Sequence, residues 1–220
     1  MIKTYLLDCN FLYNKEIFEK SINILNDDRI KKTHSLKNEK DKILSVGSGL
    51  LLNYIFKLYG INENNKIIYN EYNKPYIEDN FIYFNLSHKD SIVVCTVCDS
   101  EIGVDIEKIK EADKKLMFYI NKEEEFNNFK NYYSYDDNRA FYKLWTIKES
   151  FMKYLGKGLS VGIKDLVVKV DPLRIIFKDK KYKVFFKEHL YHDYVITICC
   201  NNIGEMHQLI VIENENSLLN

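Results

Sequence analysis

The sequence predicts an α+β protein built from two similar lobes, on three observations. Apolar or alternating runs open and close each half of the chain, helical periodicity fills the middle of each half, and the order strand, helices, strands occurs twice. No residue-level repeat accompanies that order, so any likeness between the halves is architectural. With 220 residues and 46% hydrophobic composition, the chain can bury one substantial core or two small ones. The boundary is expected near Ile102, giving lobes of 1–101 and 102–220.

In the first half, Ile2 to Asp8 reads as a short apolar strand, followed by helical segments near 14–32 and 38–59. Strands are expected near 66–69, 81–86 and 91–98, the last carrying the buried-type run Ile92-Val93-Val94-Cys95-Thr96-Val97-Cys98. The second half opens on a strand in which Ile102, Val104 and Ile106 alternate with Gly103, Asp105 and Glu107, the period of a half-buried strand. Helices near 113–130 and 137–155 come next. In the latter, Leu144, Ile147, Phe151, Tyr154 and Leu155 recur at three- and four-residue spacing, and Gly156 stands where a C-cap belongs. Strands near 165–170, 174–178, 181–188, 193–200 and 206–212 complete the chain.

Lysine plus arginine equals aspartate plus glutamate at 32 each, which disfavours a dedicated nucleic-acid binder. No apolar run approaches membrane-spanning length, and the first residues lack the long apolar core of a signal peptide. The five cysteines do not form a disulfide pattern, and a cytoplasmic protein is expected. Cys95 and Cys98, three apart on a strand, fall on opposite faces, while Cys199 and Cys200 read as small core residues. His189 and His192 lie beside Glu188 and Asp193 between two strands, which reads as a hairpin turn rather than a metal site; His34 has no identifiable partner.

The chemistry concentrates in two segments. Asp105 and Glu107 project from one face of their strand, where two acids repel unless a cation lies between them; a hard cation with oxygen ligands answers that, and a solvated strand face is the plain alternative. On the 137–155 helix, Trp145, Glu149 and Lys153 follow each other at four-residue spacing. Glu149 and Lys153 alone would be an exposed pair worth about 0.3–0.5 kcal/mol. Lys148, Lys153 and Lys157, with glycines at 156 and 158, add several cations near one carboxylate, a mixture that phosphate oxygens and a bound metal would explain.

These residues resemble the Sfp-type 4′-phosphopantetheinyl transferases. The family signature G-x-D-x-E, then W-x-x-K-E-x-x-x-K, is present as Gly103, Asp105 and Glu107, then Trp145, Lys148, Glu149 and Lys153, with Gly156-Lys157-Gly158-Leu159-Ser160 after it. Glu71-Tyr72-Asn73-Lys74-Pro75-Tyr76 resembles the family's G-K-P segment, with Asn73 in place of glycine, and Phe84-Asn85-Leu86-Ser87-His88 its F-N-x-S-H segment. Asparagine tolerates a left-handed backbone, so the turn is expected to persist.

The resemblance implies a pseudo-dimer of two related lobes with the active site in the cleft between them, complete in a monomer. It implies Mg²⁺, with Mn²⁺ as an alternative, held by Asp105, Glu107 and Glu149. Coenzyme A, the substrate, is expected to meet Lys74, Pro75, Ser87 and His88 on its 3′-phosphate and adenine side. Lys148 and Lys153 are expected on its phosphates, with Lys32 and Lys42, and near them Arg29 and Lys31, as further cations. Lys153 with Glu149 or Glu107 would carry catalysis, one of the acids as base. The partner is an apo carrier protein of the acyl or peptidyl type, with its docking surface expected on the segment from Phe118 to Tyr135. A metal-dependent nuclease and a non-catalytic module binding coenzyme A or a carrier are the competing readings.

Overall fold

The computed structural model describes residues 2–61, 67–78, 82–202, 207–213 and 218. Expected strand residues 66, 81 and 206 lie outside these. Strand β1 (Ile2–Asp8) leads through a 3₁₀ turn (Cys9–Tyr13) to α1 (Lys15–Ile22), α2 (Asp27–Ser35) and α3 (Glu39–Leu58). The single helix expected over 14–32 is thus two. Asn14, Asn26 and Asn38 each cap the helix that follows, and Asn26 Oδ1 accepts from Arg29 N–H at 2.9 Å, which restarts the chain as α2.

A small hairpin, β2 (Ile67–Tyr69) and β3 (Pro75–Ile77), precedes β4 (Tyr83–Lys89) and β5 (Ile92–Cys98). Its turn places Asn73 at φ 63°, the left-handed conformation anticipated for that asparagine. The second half runs β6 (Ile102–Lys108), α4 (Lys114–Ile120), α5 (Glu123–Tyr133), α6 (Asp137–Leu155), β7 (Leu166–Lys169), β8 (Arg174–Phe177), β9 (Lys180–Tyr182), β10 (Phe185–Tyr191) and β11 (Tyr194–Cys200). β12 (His207–Ile212) follows. The segment expected as one helix over 113–130 breaks at Asn121-Lys122, and that expected as one strand over 181–188 divides into β9 and β10. α6 has the expected bounds, with Asp136 as N-cap and Gly156 as a left-handed C-cap at φ 62°.

The fold is α+β, and its two main sheets share a connectivity. β1, β5 and β4 lie side by side and antiparallel, as do β6, β11 and β10. In each set the first strand leads into helices and the last two form a hairpin. β12 leaves the second half to pair in parallel with β1, from Ile2–His207 to Leu7–Ile212, so the first sheet includes chain from beyond residue 102.

Three apolar clusters follow from this arrangement. α1–α3 cover one face of the first sheet through Leu50, Leu51 and Ile55 against Leu7, Val93 and Cys95. α4–α6 cover the second sheet and the β7–β9 meander through Phe141, Leu144 and Phe151. Between the sheets lies a third cluster, Ile2, Leu6, Val94, Ile102, Val104, Ile106, Ile196 and Ile198, which joins the two halves. Thr4 and Thr96 share a buried hydrogen bond of 2.8 Å along that seam.

Strand β6 departs from expectation. Its alternation suggested one wet face, but six of its seven residues are buried, because the isoleucine and valine face meets the seam and the Gly103, Asp105, Glu107 face lies under α6. Gly103 makes the second contact feasible: a Cβ there would fall 2.0 Å from Ser150 O and 2.4 Å from Tyr154 N. Backbone atoms cannot yield as a side-chain tip can, so Gly103→Ala is expected to cost about 3 kcal/mol or more. Urea denaturation checks this, and an unchanged midpoint would contradict the packing.

Candidate active site

The site forms where three elements meet. β6 supplies Asp105 and Glu107, α6 lays Glu149 and Lys153 across them, and β4 runs beside β6 from the other sheet. Asn85 Oδ1 accepts from Val104 N–H at 2.9 Å, docking β4 onto β6, and two residues on, Ser87 Oγ donates to Asp105 Oδ1 at 3.0 Å. Lys153 Nζ donates to the same Asp105 oxygen at 2.7 Å and to Ser87 Oγ at 2.8 Å. Two residues further along β4, Lys89 Nζ stands 2.5 Å from Glu107 Oε2, an ion pair lying off the hydrogen-bonding directions of that oxygen.

Asp105 is 5% exposed and Glu107 9%, which excludes a solvated strand face. Burial raises the pKa of Glu107, opposed by Lys89 and reinforced by the charge of Asp105. Burial also raises the pKa of Glu149, followed by the charge of Asp105, with Lys153 opposing. Three acids in a partly dry space favour any cation that can reach them, and in this side-chain arrangement the cations are Lys153 and Lys89. Among the described residues no three of His, Cys, Asp and Glu converge closely enough to hold a metal ion. The donors nonetheless suit a hard divalent ion: all are carboxylates, and Asp105 Oδ2 is buried with no hydrogen-bond partner.

Other expected contacts fall around this centre. His88 is exposed at the end of β4, beside the first turn of α3: Lys40 pairs with Asp90 at 3.4 Å, and Asp41 bears on His88. Lys42 is half-buried on that turn. Lys32 is exposed on α2, its pKa lowered by desolvation and then by neighbouring Arg29. Pro75 opens β3. The hairpin leans on the end of α6, where Asn70 Nδ2 donates to Gly156 O at 2.7 Å.

Two expectations need correcting. Lys148 is not at the site: it is 0% exposed, on another side of α6, with Nζ donating to Glu125 Oε2 at 2.8 Å and to Ile120 O at 3.1 Å. The break between α4 and α5 frees that carbonyl, and the ammonium takes it. Glu125 Oε1 also accepts from Val168 N–H, so one ion pair ties α4, α5, α6 and β7. The ammonium of Lys74 is likewise turned inward, to Glu101 Oε2 at 2.6 Å and to the carbonyls of Ile102 and Tyr154 at 3.2 and 3.1 Å. It secures the C-terminal end of α6 rather than presenting a charge to an anion.

Sequence reasoning missed Lys89. The signal was available: β4 alternates Asn85, Ser87, Lys89, and the family-like match stopped at His88.

A family model of the 4′-phosphopantetheinyl transferase superfamily matches residues 101–199, the span that holds β6 and α6. A 4′-phosphopantetheinyl transferase of Aneurinibacillus migulanus is 33% identical over 167 residues, covering 74% of this chain and 70% of that protein. The chain belongs to the 4′-phosphopantetheinyl transferase family. It is similar also to the Sfp transferase of Bacillus subtilis, 31% identical over 127 residues and 57% of each chain. An L-aminoadipate-semialdehyde dehydrogenase-phosphopantetheinyl transferase of Candida glabrata is 28% identical over 57% of this chain and 52% of its own. Against these two relatives, the match spans little more than half their length. As a member of this family the chain is a transferase, and Asp105, Glu107, Glu149 and Lys153 lie within the matched span.

Removing one member of a buried ion pair leaves the other charge unpaired, so Lys148→Met is expected to cost about 3–5 kcal/mol. Lys148→Met with Glu125→Leu should recover part of that in chemical denaturation, although Val168 N–H loses its acceptor. Glu149 gives a prediction of opposite sign. A carboxyl whose folded pKa is raised lowers stability as pH climbs from its ordinary value through the raised one, and the penalty is complete above it. In chelator, Glu149→Gln should therefore raise the melting temperature at about pH 8 and leave it nearly unchanged at about pH 3.5, below the ordinary glutamate range.

Proposed function

We propose that this protein transfers the 4′-phosphopantetheine arm of coenzyme A to a serine hydroxyl of an apo carrier protein and releases adenosine 3′,5′-bisphosphate. The observation that carries the reading is the buried pair Asp105 and Glu107 with half-buried Glu149, facing Lys153 between β6 and α6, in a chain of this family. Asp105, Glu107 and Glu149 would hold Mg²⁺, or Mn²⁺ in its place. A bound divalent ion supplies charge neutralisation on the diphosphate and stabilises the negative charge that gathers on the leaving phosphate.

The chain's own groups do the rest. Lys153, a point charge on a mobile stem, swings from Asp105 onto a diphosphate oxygen. Ser87 holds Asp105 through its hydroxyl and keeps that carboxylate oriented while the lysine moves. The carrier serine must lose its proton as its oxygen attacks the β-phosphorus. Glu149, or Glu107, is the base that takes this proton. Residues 1–101 supply the nucleotide side of the cleft through Ser87, His88, Lys42, Lys32 and the backbone at Lys74-Pro75, and residues 102–220 the metal side. Both sides come from one chain, so the reading needs only a monomer. The five cysteines described are all free and buried, which suits a reducing cytoplasm. Among the described residues no helix is long and apolar enough to cross a membrane.

The carrier is assigned to the surface of α4 and the α4–α5 turn. Phe118 is 52% exposed and Tyr119 60%, with Lys164 Nζ 3.6 Å from the Tyr119 ring centroid and Lys122 exposed at the turn, while Glu123 and Glu124 open α5, so the patch is aromatic with mixed charge. Its aromatic side chains offer apolar contact and Lys122 and Lys164 the cations for an acidic carrier surface.

Intact mass of an apo carrier protein incubated with the chain, coenzyme A and Mg²⁺ tests the reading. A gain of one phosphopantetheine, about 340 Da, is expected, lost in chelator and slowed by about 10²–10³-fold or more in Glu149→Ala and Lys153→Ala. No gain with acyl and peptidyl carriers, despite saturable coenzyme A binding, would replace transfer by binding alone. In the same assay Lys122→Glu should raise the KM for carrier and spare that for coenzyme A; equal effects would remove the docking assignment.

A further inference from the structure

Strands β4 and β6 run in step, and their side chains meet in three successive rungs. Asn85 takes Val104 N–H, Ser87 takes Asp105, and Lys89 takes Glu107. The first rung is structural and the second belongs to the catalytic centre. The third puts an ammonium directly on a carboxylate that the proposed reaction needs for its metal. The Lys89 side chain is 32% exposed and that of Glu107 12%, so water screens the pair only partly. Glu107 is also its nearest claim: Asp90, the other carboxylate that acts on Lys89, is occupied by Tyr194 Oη at 3.0 Å and by Lys40. Tyr142 lies near both partners and adds no charge at neutral pH, because burial and Glu107 raise its pKa.

We propose that Lys89 is a built-in counter-cation of Glu107 that competes with a divalent ion for that acid. Metal binding by the protein alone is therefore weak and tightens when coenzyme A arrives. The inference rests on the metal-dependent reading above. An ammonium 2.5 Å from Glu107 Oε2 and a divalent cation compete for the charge of one carboxylate. Metal entry either loosens the ion pair or sets the ion beside it, and both put Lys89 next to a second positive centre, which opposes binding. The diphosphate of coenzyme A brings negative charge to the same place, gives the released ammonium a new partner, and removes most of the opposition. Lys153 bears on Asp105 in the same way, so two internal lysines face the three acids.

The test is a Mn²⁺ titration read by the electron paramagnetic resonance signal of the free ion, with and without coenzyme A. Without coenzyme A, Lys89→Gln should bind Mn²⁺ about tenfold more tightly than the parent protein, the scale of one opposite charge at contact. Lys89→Arg, which keeps the charge, should bind like the parent. So should Lys40→Gln, which removes a cation from the α3 turn beside the same strand end but faces Asp90. Adding coenzyme A should tighten the parent more than Lys89→Gln and bring the two together. Unchanged or weaker binding in Lys89→Gln overturns the inference, as does an equal gain in Lys40→Gln, which would make the effect one of net charge. Asp105→Asn separates the two levels: if it abolishes Mn²⁺ binding while Lys89→Gln changes nothing, the metal site stands and the counter-cation does not. Binding insensitive to Asp105→Asn, or none at all in any of these proteins, removes the metal reading and this inference together.

Discussion

Strand β6 has one face of branched aliphatics and one of glycine and acids, and the fold covers both. Burying the first against the other sheet is favourable in the ordinary way, through Ile102, Val104 and Ile106 in the shared seam. Burying the second is not, since Asp105 and Glu107 enter a space where ionised carboxylates are costly. The structure permits it because Gly103 lets α6 come down onto the strand, and because every acid drawn in has a lysine within reach.

The lysines divide the labour by depth. Lys148 and Lys74 are consumed by architecture, one tying four elements through Glu125 and the other holding the end of α6. Desolvation lowers the pKa of both, yet each has a carboxylate and at least one carbonyl to compensate. Lys153 and Lys89 are less buried, paired with acids that have other uses, and can leave. The proposed function, accepting a metal and a diphosphate and then releasing a nucleotide product, calls for counter-charges of this second kind.

The two-sheet arrangement explains why the site lies where it does. β4 from the first sheet and β6 from the second run alongside each other, so Ser87 and Lys89 reach the acids from one sheet to the other. The return of β12 to pair with β1 draws the chain end back across the same boundary, which fastens the halves whose relative position sets the site.

Much of this was legible in the sequence. The helix 137–155 with its glycine cap, the strands around it, the left-handed Asn73 and the pairing of Asp105 and Glu107 on one face are local properties, decided by periodicity and backbone preference. The family signature identified Glu149 and Lys153 as their partners for the same reason: spacing along one helix is a one-dimensional fact. What tertiary structure alone decided is which lysine meets which acid. Lys148 and Lys153 look equivalent in sequence, but they point to different sides of α6, one into a core with Glu125 waiting and one toward Asp105. Lys89 lies outside the strand expected near 81–86 and the segment ending at His88, and it meets Glu107 only because β4 docks in step with β6. Long-range charge pairing depends on where whole elements pack, and the apolar seam and the close approach at Gly103 set that, rather than any preference of the charged residues themselves.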